Sequence, residues 1–164
     1  MNIFKATVND AQNILSIQKA AYQSEAELYN DFSIPPLHQT LQELEKEIST
    51  IVFLKALVNS NIVGAVRGFV ENGNCYIGRL IVLPEYQGRG IGGHLLCELE
   101  NNFPQANRFE LFTGSRSSKN LHLYQKHGYK EFKQETLSDN VILVYLEKFS
   151  RERLNKSSSE RKLY

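Results

Sequence analysis

The sequence predicts a single α/β domain in which a mostly antiparallel sheet of about seven strands is flanked by about four helices. The first observation behind this prediction is the length, because 164 residues is the size of one ordinary domain. The second observation is that helix-like and strand-like segments alternate along the chain. The third is a central run of strands joined by short turns. We therefore assign residues 1–149 to one domain and residues 150–164 to a polar, flexible tail.

The first third of the chain reads as a strand followed by two helices. A strand is expected over residues 3–8, and a helix over residues 11–27 in which apolar side chains recur at helical spacing. The two prolines at 35–36 interrupt this helix, because proline cannot continue one. A T-x-x-E capping box then opens a second helix over residues 40–48.

The middle of the chain is rich in strands. Apolar segments at 51–58, 62–70 and 75–83 are separated by turns, one of which contains Asn-Gly, a strong hairpin signal. Three antiparallel strands are therefore expected in succession. The remaining elements are a helix that begins near residue 90, a strand over 108–114, a helix over 117–128 and a hairpin over 129–149 that turns at 138–140.

Charge and composition exclude several classes of protein. Lysine and arginine number 19 against 18 aspartates and glutamates, so no overall charge favours nucleic acid or a membrane surface. The chain has no apolar run near the ~18 residues of a membrane span and no signal-peptide pattern at its start. Its two cysteines form neither a disulfide framework nor a zinc motif. We expect a cytoplasmic protein without nucleic-acid, membrane or metal partners.

A glycine-rich segment, VLPEYQGRGIGGHLL, can be read in two frames. In the first, Gly88, Gly90 and Gly93 form G-x-G-x-x-G, the pattern of dinucleotide-binding folds. In the second, Gln87, Gly90 and Gly92 form Q-x-x-G-x-G. Either loop would present the N-terminus of a helix to a pyrophosphate, because unpaired N–H groups and the helix dipole attract anions there.

The position of these glycines disfavours the dinucleotide frame. A dinucleotide fold places its glycines directly after the first strand of a βαβ unit, whereas here they follow three antiparallel strands. The acidic residue at the expected distance, Glu110, lies inside a strand instead of at its end. No Gly-Lys-Ser/Thr follows the glycines, which excludes a P-loop.

The second frame resembles the acyl-CoA-binding motif Q/R-x-x-G-x-G/A of the GNAT superfamily of N-acetyltransferases. The V-x-P-x-Y pattern at Val82–Tyr86 is common in that superfamily, and the segment Asn120–Tyr129 resembles its second motif, N-x-x-L-Y-x-x-x-G-F/Y. The resemblance extends from the first strand to about Phe149 and includes the order of elements. It implies the GNAT fold and an N-acetyltransferase that uses acetyl-CoA as cosubstrate and no metal.

The resemblance also implies how the CoA moiety is held. In GNAT proteins the strand before the glycine loop separates from the next parallel strand, and the pantetheine arm lies in the gap. Gly78, near this point, would suit a bulge, and the backbone N–H of Leu80 or Ile81 would polarise the thioester carbonyl as an oxyanion donor. Glycines at 88, 90 and 92 would let phosphate approach the backbone; alternatively, they only form a turn and permit close helix packing. The implied CoA-binding residues are Leu80, Ile81, Val82, Gln87, Gly88, Arg89, Gly90, Ile91, Gly92 and Asn120.

Two side chains are candidates for proton transfer. Tyr124 matches the superfamily tyrosine that protonates the departing CoA thiolate as general acid; the alternative is a core tyrosine. Glu110 is the candidate general base, since an acidic residue amid apolar neighbours on a strand is unusual; a solvated position at the sheet edge is the alternative. Cys97 is better explained as small core filler than as a nucleophile.

The connection between the first two helices is the expected acceptor site. Its carboxylates and aromatic rings suit a cationic amine, by charge and by cation–π contact; an ordinary polar surface loop is the alternative. The candidate substrate-binding residues are Tyr22, Glu25, Tyr29, Asp31 and His38. A small-molecule or peptide amine is the expected partner, its identity stays open, and a homodimer is an option that the sequence does not decide.

Two functions therefore remain after sequence analysis. The first is an N-acetyltransferase that moves an acetyl group from acetyl-CoA to a primary amine by direct attack in a ternary complex. The second is a non-catalytic acyl-CoA-binding or regulatory module on the same fold, which would need no general acid. The presence of Tyr124 favours the enzyme.

Overall fold

A seven-stranded mixed sheet runs through the computed structural model, in which residues 1–150 are described. Its spatial order is β1-β2-β3-β4-β5-β7-β6, and every neighbouring pair is antiparallel except β4 and β5. The strands are β1 (Asn2–Lys5), β2 (Val52–Val58), β3 (Asn61–Glu71), β4 (Asn74–Val82), β5 (Arg108–Gly114), β6 (Lys130–Thr136) and β7 (Ile142–Phe149). The predicted α/β fold class and its mostly antiparallel sheet of seven strands are confirmed.

Five α-helices, one more than predicted, accompany the sheet in residues 1–150. They are α1 (Ala11–Tyr29), α2 (Pro35–His38), α3 (Leu41–Thr50), α4 (Ile91–Asn101) and α5 (Ser118–Lys126). The additional helix is the single turn α2, which begins at the two prolines that were expected only to interrupt a helix. Helix α1 ends before the prolines, at Tyr29, where Asn30 forms a left-handed C-cap with φ of +47°. The prolines instead begin α2, because proline is favoured in the first turn of a helix, where the missing N–H would have no partner.

The end of β1 differs from the prediction, whereas the start of α3 agrees with it. Strand β1 ends at Lys5 instead of residue 8, because the backbone N–H of Thr7 donates to the carboxylate of Asp10 (2.8 Å) and Val8–Asp10 form a 3-10 turn. Helix α3 begins with the predicted capping box, in which the side chains of Thr40 and Glu43 bond each other's backbone N–H.

The sheet is covered on both faces. Helices α1 and α3 pack on one face through Ile14, Ile17 and Leu44, which meet Phe53 and Ala65 of the strands. Helix α4 packs on the opposite face through its buried leucines, against side chains that alternate with the first set along the same strands. This period of two explains why the central strands are nearly continuous in apolar residues.

Strands β4 and β5 share only a short stretch of pairing. Their three pairs are Asn74–Arg108, Cys75–Phe109 and Tyr76–Glu110. From Ile77 onward, β4 pairs with β3 alone among the described strands, while β5 continues along β7. We call the opening that results the β4–β5 gap.

A β-bulge lies in β4 beside this gap. Ile81 pairs with Ala65 and Gly78 pairs with Arg67, so Arg79 and Leu80 together stand opposite one residue of β3. The bulge was expected near Gly78, but the left-handed residue is Arg79, with φ of +47°. Such a conformation costs about 1–2 kcal/mol for a residue with a side chain.

A chain of hydrogen bonds joins α1 to the turn between β5 and α5. The Ser117 hydroxyl donates to the Glu25 carboxylate (2.6 Å), so the Tyr29 hydroxyl donates to Ser117 Oγ (2.9 Å). The Tyr29 oxygen in turn accepts the backbone N–H of Arg116 (2.9 Å). Tyr29 is buried, and its hydroxyl occupies the space that a side chain at Gly114 would fill.

Two further expectations concern membrane spans and the C-terminal tail. No helix within residues 1–150 is long and apolar enough to cross a membrane. Of the predicted tail, only Ser150 is described, and its N–H donates to the carbonyl of Asn107 (3.0 Å). Residues 151–164 lie outside the described part of the chain, and the division into domain and tail stays a prediction.

We expect Gly114→Ala to destabilise the protein by about 1–3 kcal/mol, the usual cost of overpacking a core. The new Cβ would lie 2.0 Å from the Tyr29 hydroxyl oxygen, and the hydrogen bonds of that hydroxyl prevent the ring from moving aside. Chemical denaturation measures the change in the free energy of unfolding, with Ser115→Ala as the neighbouring control. Equal stability of the two variants would show that the Tyr29 ring is free to move.

Candidate active site

The glycine-rich loop leads from β4 into the N-terminus of α4. Gly88 and Gly90 have φ of +74° and +82°, a region that favours glycine, and Gly90 is the N-cap residue of α4. A side chain built on Gly88 would meet no atom within 4 Å, so the loop is open to solvent on that side. The first turn of α4 contains no acidic residue, which leaves its backbone N–H groups available to an anion.

Side chains around the loop hold it against β4. The carboxamide of Gln87 donates to the carbonyl oxygen of Val82 (3.0 Å), and the Arg89 guanidinium lies over the Tyr86 ring, 5.1 Å from its centroid. Ile91, at the start of α4, is buried in the core. Gln87 and Ile91 thus anchor the two ends of the glycine-rich loop.

Gly92 and Gly93 let α4 approach α5. A Cβ on Gly93 would lie 2.8 Å from the His127 ring, and one on Gly92 would lie 3.3 Å from a methyl carbon of Leu123. The missing side chain of Gly92 therefore accommodates α5, not a phosphate, and only its backbone N–H in the first turn of α4 remains to contact an anion. Gly92 and Gly93 are thus explained by close packing between α4 and α5. At positions 88 and 90, glycine is favoured because the backbone has a positive φ.

The backbone of β4 faces the β4–β5 gap after the bulge. The N–H of Leu83 donates to Val63 of β3 (2.8 Å), so the N–H and C=O of the preceding residue, Val82, point to the other side. There the Val82 carbonyl accepts the bond from Gln87. The side chain of Ile81 is buried against α1, while that of Leu80 packs on the α4 side of the sheet. This stretch of β4 thus retains backbone groups that no neighbouring strand uses.

Tyr124 of α5 is buried, but its hydroxyl is free. The residue is 6 % exposed and its hydroxyl bonds to no other residue of the described chain. Since every fully buried side-chain polar atom in residues 1–150 has a partner, the exposed part of Tyr124 includes the hydroxyl. Burial raises the pKa of Tyr124 well above its usual value, and the nearby Tyr22 and Glu25 raise it further. Tyr124 is therefore a neutral phenol at physiological pH.

Tyr22 of α1 interacts electrostatically with Tyr124 and with two arginines. Burial raises the pKa of the Tyr22 hydroxyl, while the charges of Arg79 and Arg67 act in the opposite direction. Tyr22 is thus an electrostatic neighbour of the arginines on β3 and β4 and also of Tyr124 on α5. In the first turn of α5, the Asn120 carboxamide donates to the Thr113 hydroxyl of β5 (3.2 Å).

Two cavities open on the α1 side of the sheet near these residues. The first, which we call the α3 cavity, has a volume of about 350 Å³ and is lined by Pro35, His38, Gln39, Glu43, Glu47 and Arg79. The second, which we call the gap cavity, has about 220 Å³ and lies where β4 and β5 separate. Arg67 lies between them, because it lines the gap cavity and pairs with Glu47 of the α3 cavity.

Glu110 lines the gap cavity, together with Tyr76, Gly78, Phe112 and Tyr145. Its Oε1 accepts a hydrogen bond from Arg108 (2.7 Å), while its Oε2 accepts none from the described residues. The carboxylate is thus held at the mouth of the gap with one oxygen free.

The structure places the predicted acceptor residues in different surroundings. Tyr22 and Glu25 lie near Tyr124, whereas the hydroxyl of Tyr29 is fully used in joining α1 to β5. Asp31 is half-buried and accepts both the N–H and the hydroxyl of Ser33, and these hydrogen bonds lower its pKa. His38 bonds the carbonyl of Phe32 (2.7 Å) through Nε2. Tyr29 and Asp31 thus maintain the local structure, and the proposed acceptor contacts do not include them.

Sequence analysis missed the arginines Arg67 and Arg79. A signal was present, because each is a charged residue inside a largely apolar segment that was predicted to be a strand. The partners that make these positions acceptable, Gln39 and Glu47, come from the α2–α3 region, which no local pattern links to these strands.

Comparisons with known proteins agree with this architecture. A family model described as "Acetyltransferase (GNAT) domain" matches residues 19–149. A search of curated protein sequences gave no significant match. Among solved structures, the chain is similar to the PaiA N-acetyltransferase from Thermoplasma acidophilum in complex with coenzyme A, with 20% identity, a TM-score of 0.76, and coverage of 91% of this chain and 98% of that one.

Two further structures show the same fold. The ribosomal-protein-alanine N-acetyltransferase from Brucella melitensis has 17% identity and a TM-score of 0.74, with 92% of this chain and 100% of that chain covered. The ribosomal-protein-S18-alanine N-acetyltransferase from Escherichia coli has 14% identity and a TM-score of 0.72, with 89% and 91% covered. With the family model matching most of its length, the chain belongs to the GNAT acetyltransferase family.

Proposed function

We propose that this protein is an N-acetyltransferase that transfers an acetyl group from acetyl-CoA to a primary amine. The observation that carries the proposal is the buried Tyr124, whose hydroxyl has no partner in the described chain. A tyrosine that served only the core would bond its hydroxyl to the protein, as Tyr29 and Tyr129 do. A module that only bound acyl-CoA would have no use for this phenol.

The residues present fit a CoA moiety. The open side of Gly88, the left-handed Gly90 and the free N–H groups at the start of α4 form a cradle for a pyrophosphate, with Arg89 at its rim. The backbone groups of Leu80 and Val82 that point away from β3 would pair with the pantetheine amides beside Ile81, and Asn120 would approach from the side of β5. The similar fold of the Thermoplasma acidophilum enzyme, whose structure is a complex with coenzyme A, supports this assignment.

The chain's own groups account for both proton transfers. Bound acetyl-CoA would supply an activated acetyl group that a neutral amine can attack directly. Tyr124 holds its proton at Oη and donates it to the departing sulfur, while the Leu80 N–H stabilises the developing oxyanion. Glu110 presents its free Oε2 to the gap cavity and accepts the proton of the amine, directly or through water.

Calorimetric titration tests the proposed cosubstrate. We expect binding of acetyl-CoA and CoA but none of NADH, and about tenfold weaker acetyl-CoA binding for Gly90→Ala, because a Cβ at this left-handed N-cap strains the phosphate cradle. Gly128→Ala is the matched control, since Gly128 also has a positive φ and a Cβ there would not clash. Binding of NADH without acetyl-CoA would contradict the proposal.

The Tyr124→Phe variant tests the general acid. We expect kcat to fall about 10- to 1,000-fold while the Kd for acetyl-CoA changes little, because only the phenolic proton is removed. Tyr129→Phe is the control: it also removes a buried hydroxyl, one bonded to Glu100, and should lower stability with little effect on kcat. Turnover, measured as release of the CoA thiol, that is unchanged in Tyr124→Phe would remove Tyr124 from the mechanism.

The ionisation of Tyr124 can be measured without a substrate. Because burial and the nearby Glu25 raise its pKa, Tyr124 should stay protonated while exposed tyrosines lose their protons near pH 10. Phenolate absorbance of the wild type and of Tyr124→Phe should therefore coincide between pH 9 and about 11. For the same reason, we expect no loss of kcat from ionisation of Tyr124 up to pH 10. One additional phenolate in the wild type would contradict the assignment.

A further inference from the structure

The Arg79 guanidinium lines the α3 cavity and lacks an anionic partner. Its Nη1 donates to the Gln39 Oε1 (2.5 Å), and this is the one hydrogen bond that it makes within residues 1–150. No carboxylate of the described chain lies within ion-pair distance of it. Arginine presents five N–H donors in a planar fork, so most of its hydrogen-bonding capacity is unused.

The other polar groups of the α3 cavity are already engaged. Glu47 accepts from the carboxamide of Gln39 (2.8 Å) through one oxygen and from Arg67 through the other. Glu43 caps α3 by accepting the N–H of Thr40 (2.8 Å). Gln39 is fixed in turn, because its Oε1 also accepts from the buried Gln18 (2.9 Å). His38 is bonded through Nε2 to the Phe32 carbonyl (2.7 Å), so Arg79 retains more unused donors than any other side chain that lines this cavity.

The backbone at Arg79 supports a role for this side chain. Its φ of +47° is unfavourable for a residue with a Cβ, and the bulge that contains it directs the guanidinium toward α2 and α3. Burial lowers the pKa of Arg79, as does the charge of Arg67, while Tyr22 and Glu47 act in the opposite direction. An anion in the cavity would offset the charge of Arg67.

The site of the inferred anion is close to the site of chemistry. Gly78, the residue before Arg79, lines the gap cavity, and Arg67 connects the two cavities. Tyr22 is an electrostatic neighbour of both Arg79 and Tyr124. A molecule that spans the two cavities would thus place one end on Arg79 and the other at the β4–β5 gap.

We propose that the acceptor is a primary amine that also bears a carboxylate, such as an amino acid, and that Arg79 binds this carboxylate. The inference rests on the proposed function and adds a basic residue to the carboxylates and aromatic rings that were expected to recognise a cationic amine. A planar monoanion fits the free face of one guanidinium. A phosphate dianion is a poorer match because Glu43 and Glu47 line the same cavity.

Matched pairs of amines test the proposal by release of CoA thiol. The pairs are L-lysine with 1,5-diaminopentane and L-methionine with 3-(methylthio)propylamine, and O-phosphoethanolamine with β-alanine compares phosphate with carboxylate. We expect kcat/KM to be at least about tenfold higher for the carboxylate-bearing member. Equal use of both members, or preference for the phosphate, would overturn the proposal.

Variants assign the preference to Arg79. In Arg79→Gln we expect KM for the carboxylate-bearing amines to rise about 10- to 100-fold with kcat nearly unchanged, so that the two members of each pair become equivalent. Arg79→Lys should retain part of the preference, because it keeps the charge without the planar fork. Lys46→Gln, which removes an exposed charge from α3, should behave as the wild type. A preference that survives Arg79→Gln would overturn the assignment.

The two levels of the proposal can fail separately. Acetyl-CoA binding by Arg79→Gln shows that the variant is folded, and absence of such binding in the wild type would overturn the proposed function itself. If acetyl-CoA binds but no amine of the panel reacts, the same pairs are titrated calorimetrically into the protein–CoA complex. Heat that depends on the carboxylate and disappears in Arg79→Gln supports the inference, and its absence at millimolar amine overturns it.

Discussion

The incomplete pairing of β4 and β5 is the constraint on which the rest of this structure depends. Parallel strands normally stay paired along their length, but here only three residue pairs form before the strands diverge. The divergence leaves the outer side of β4 without a partner strand among the described residues and opens the gap cavity, which Glu110 lines. The proposed pantetheine contacts lie along this opening, and Arg67 joins it to the cavity that Arg79 lines.

Such an opening persists only if other contacts hold its two sides at a fixed distance. On one face, α4 and α5 approach closely because Gly92 and Gly93 have no side chains to separate them. On the other face, the Tyr29–Ser117–Glu25 hydrogen bonds join α1 to the turn after β5. The width of the gap is therefore set by buried contacts on both faces of the sheet, and the bound ligands need not supply that order themselves.

Local patterns were sufficient to predict most of the fold. Most of the strands follow from apolar runs bounded by turns, whereas the polar strand β6 follows from its place in a hairpin with β7. The capping box of α3 and the glycine loop follow from short motifs with a direct physical cause. The helix at Pro35 was missed because proline cannot continue a helix but is also favoured in the first turn of a new one. Local patterns say least about the acceptor side. Whether Tyr29 meets a substrate or Ser117, and whether Arg79 has a carboxylate partner, depends on contacts between segments far apart in sequence.

The bulge at Arg79 also has a consequence for the chain before folding is complete. Strands β1 to β4 are contiguous in sequence and can pair before β5 exists, so the outer side of β4 is then an uncovered sheet edge. Uncovered edges recruit strands from other molecules and lead to aggregation. A bulge with a left-handed residue and a charged side chain interrupts the flat hydrogen-bonding row that such recruitment requires. We therefore expect the bulge beside the proposed ligand site to disfavour intermolecular strand addition while β5 is still absent.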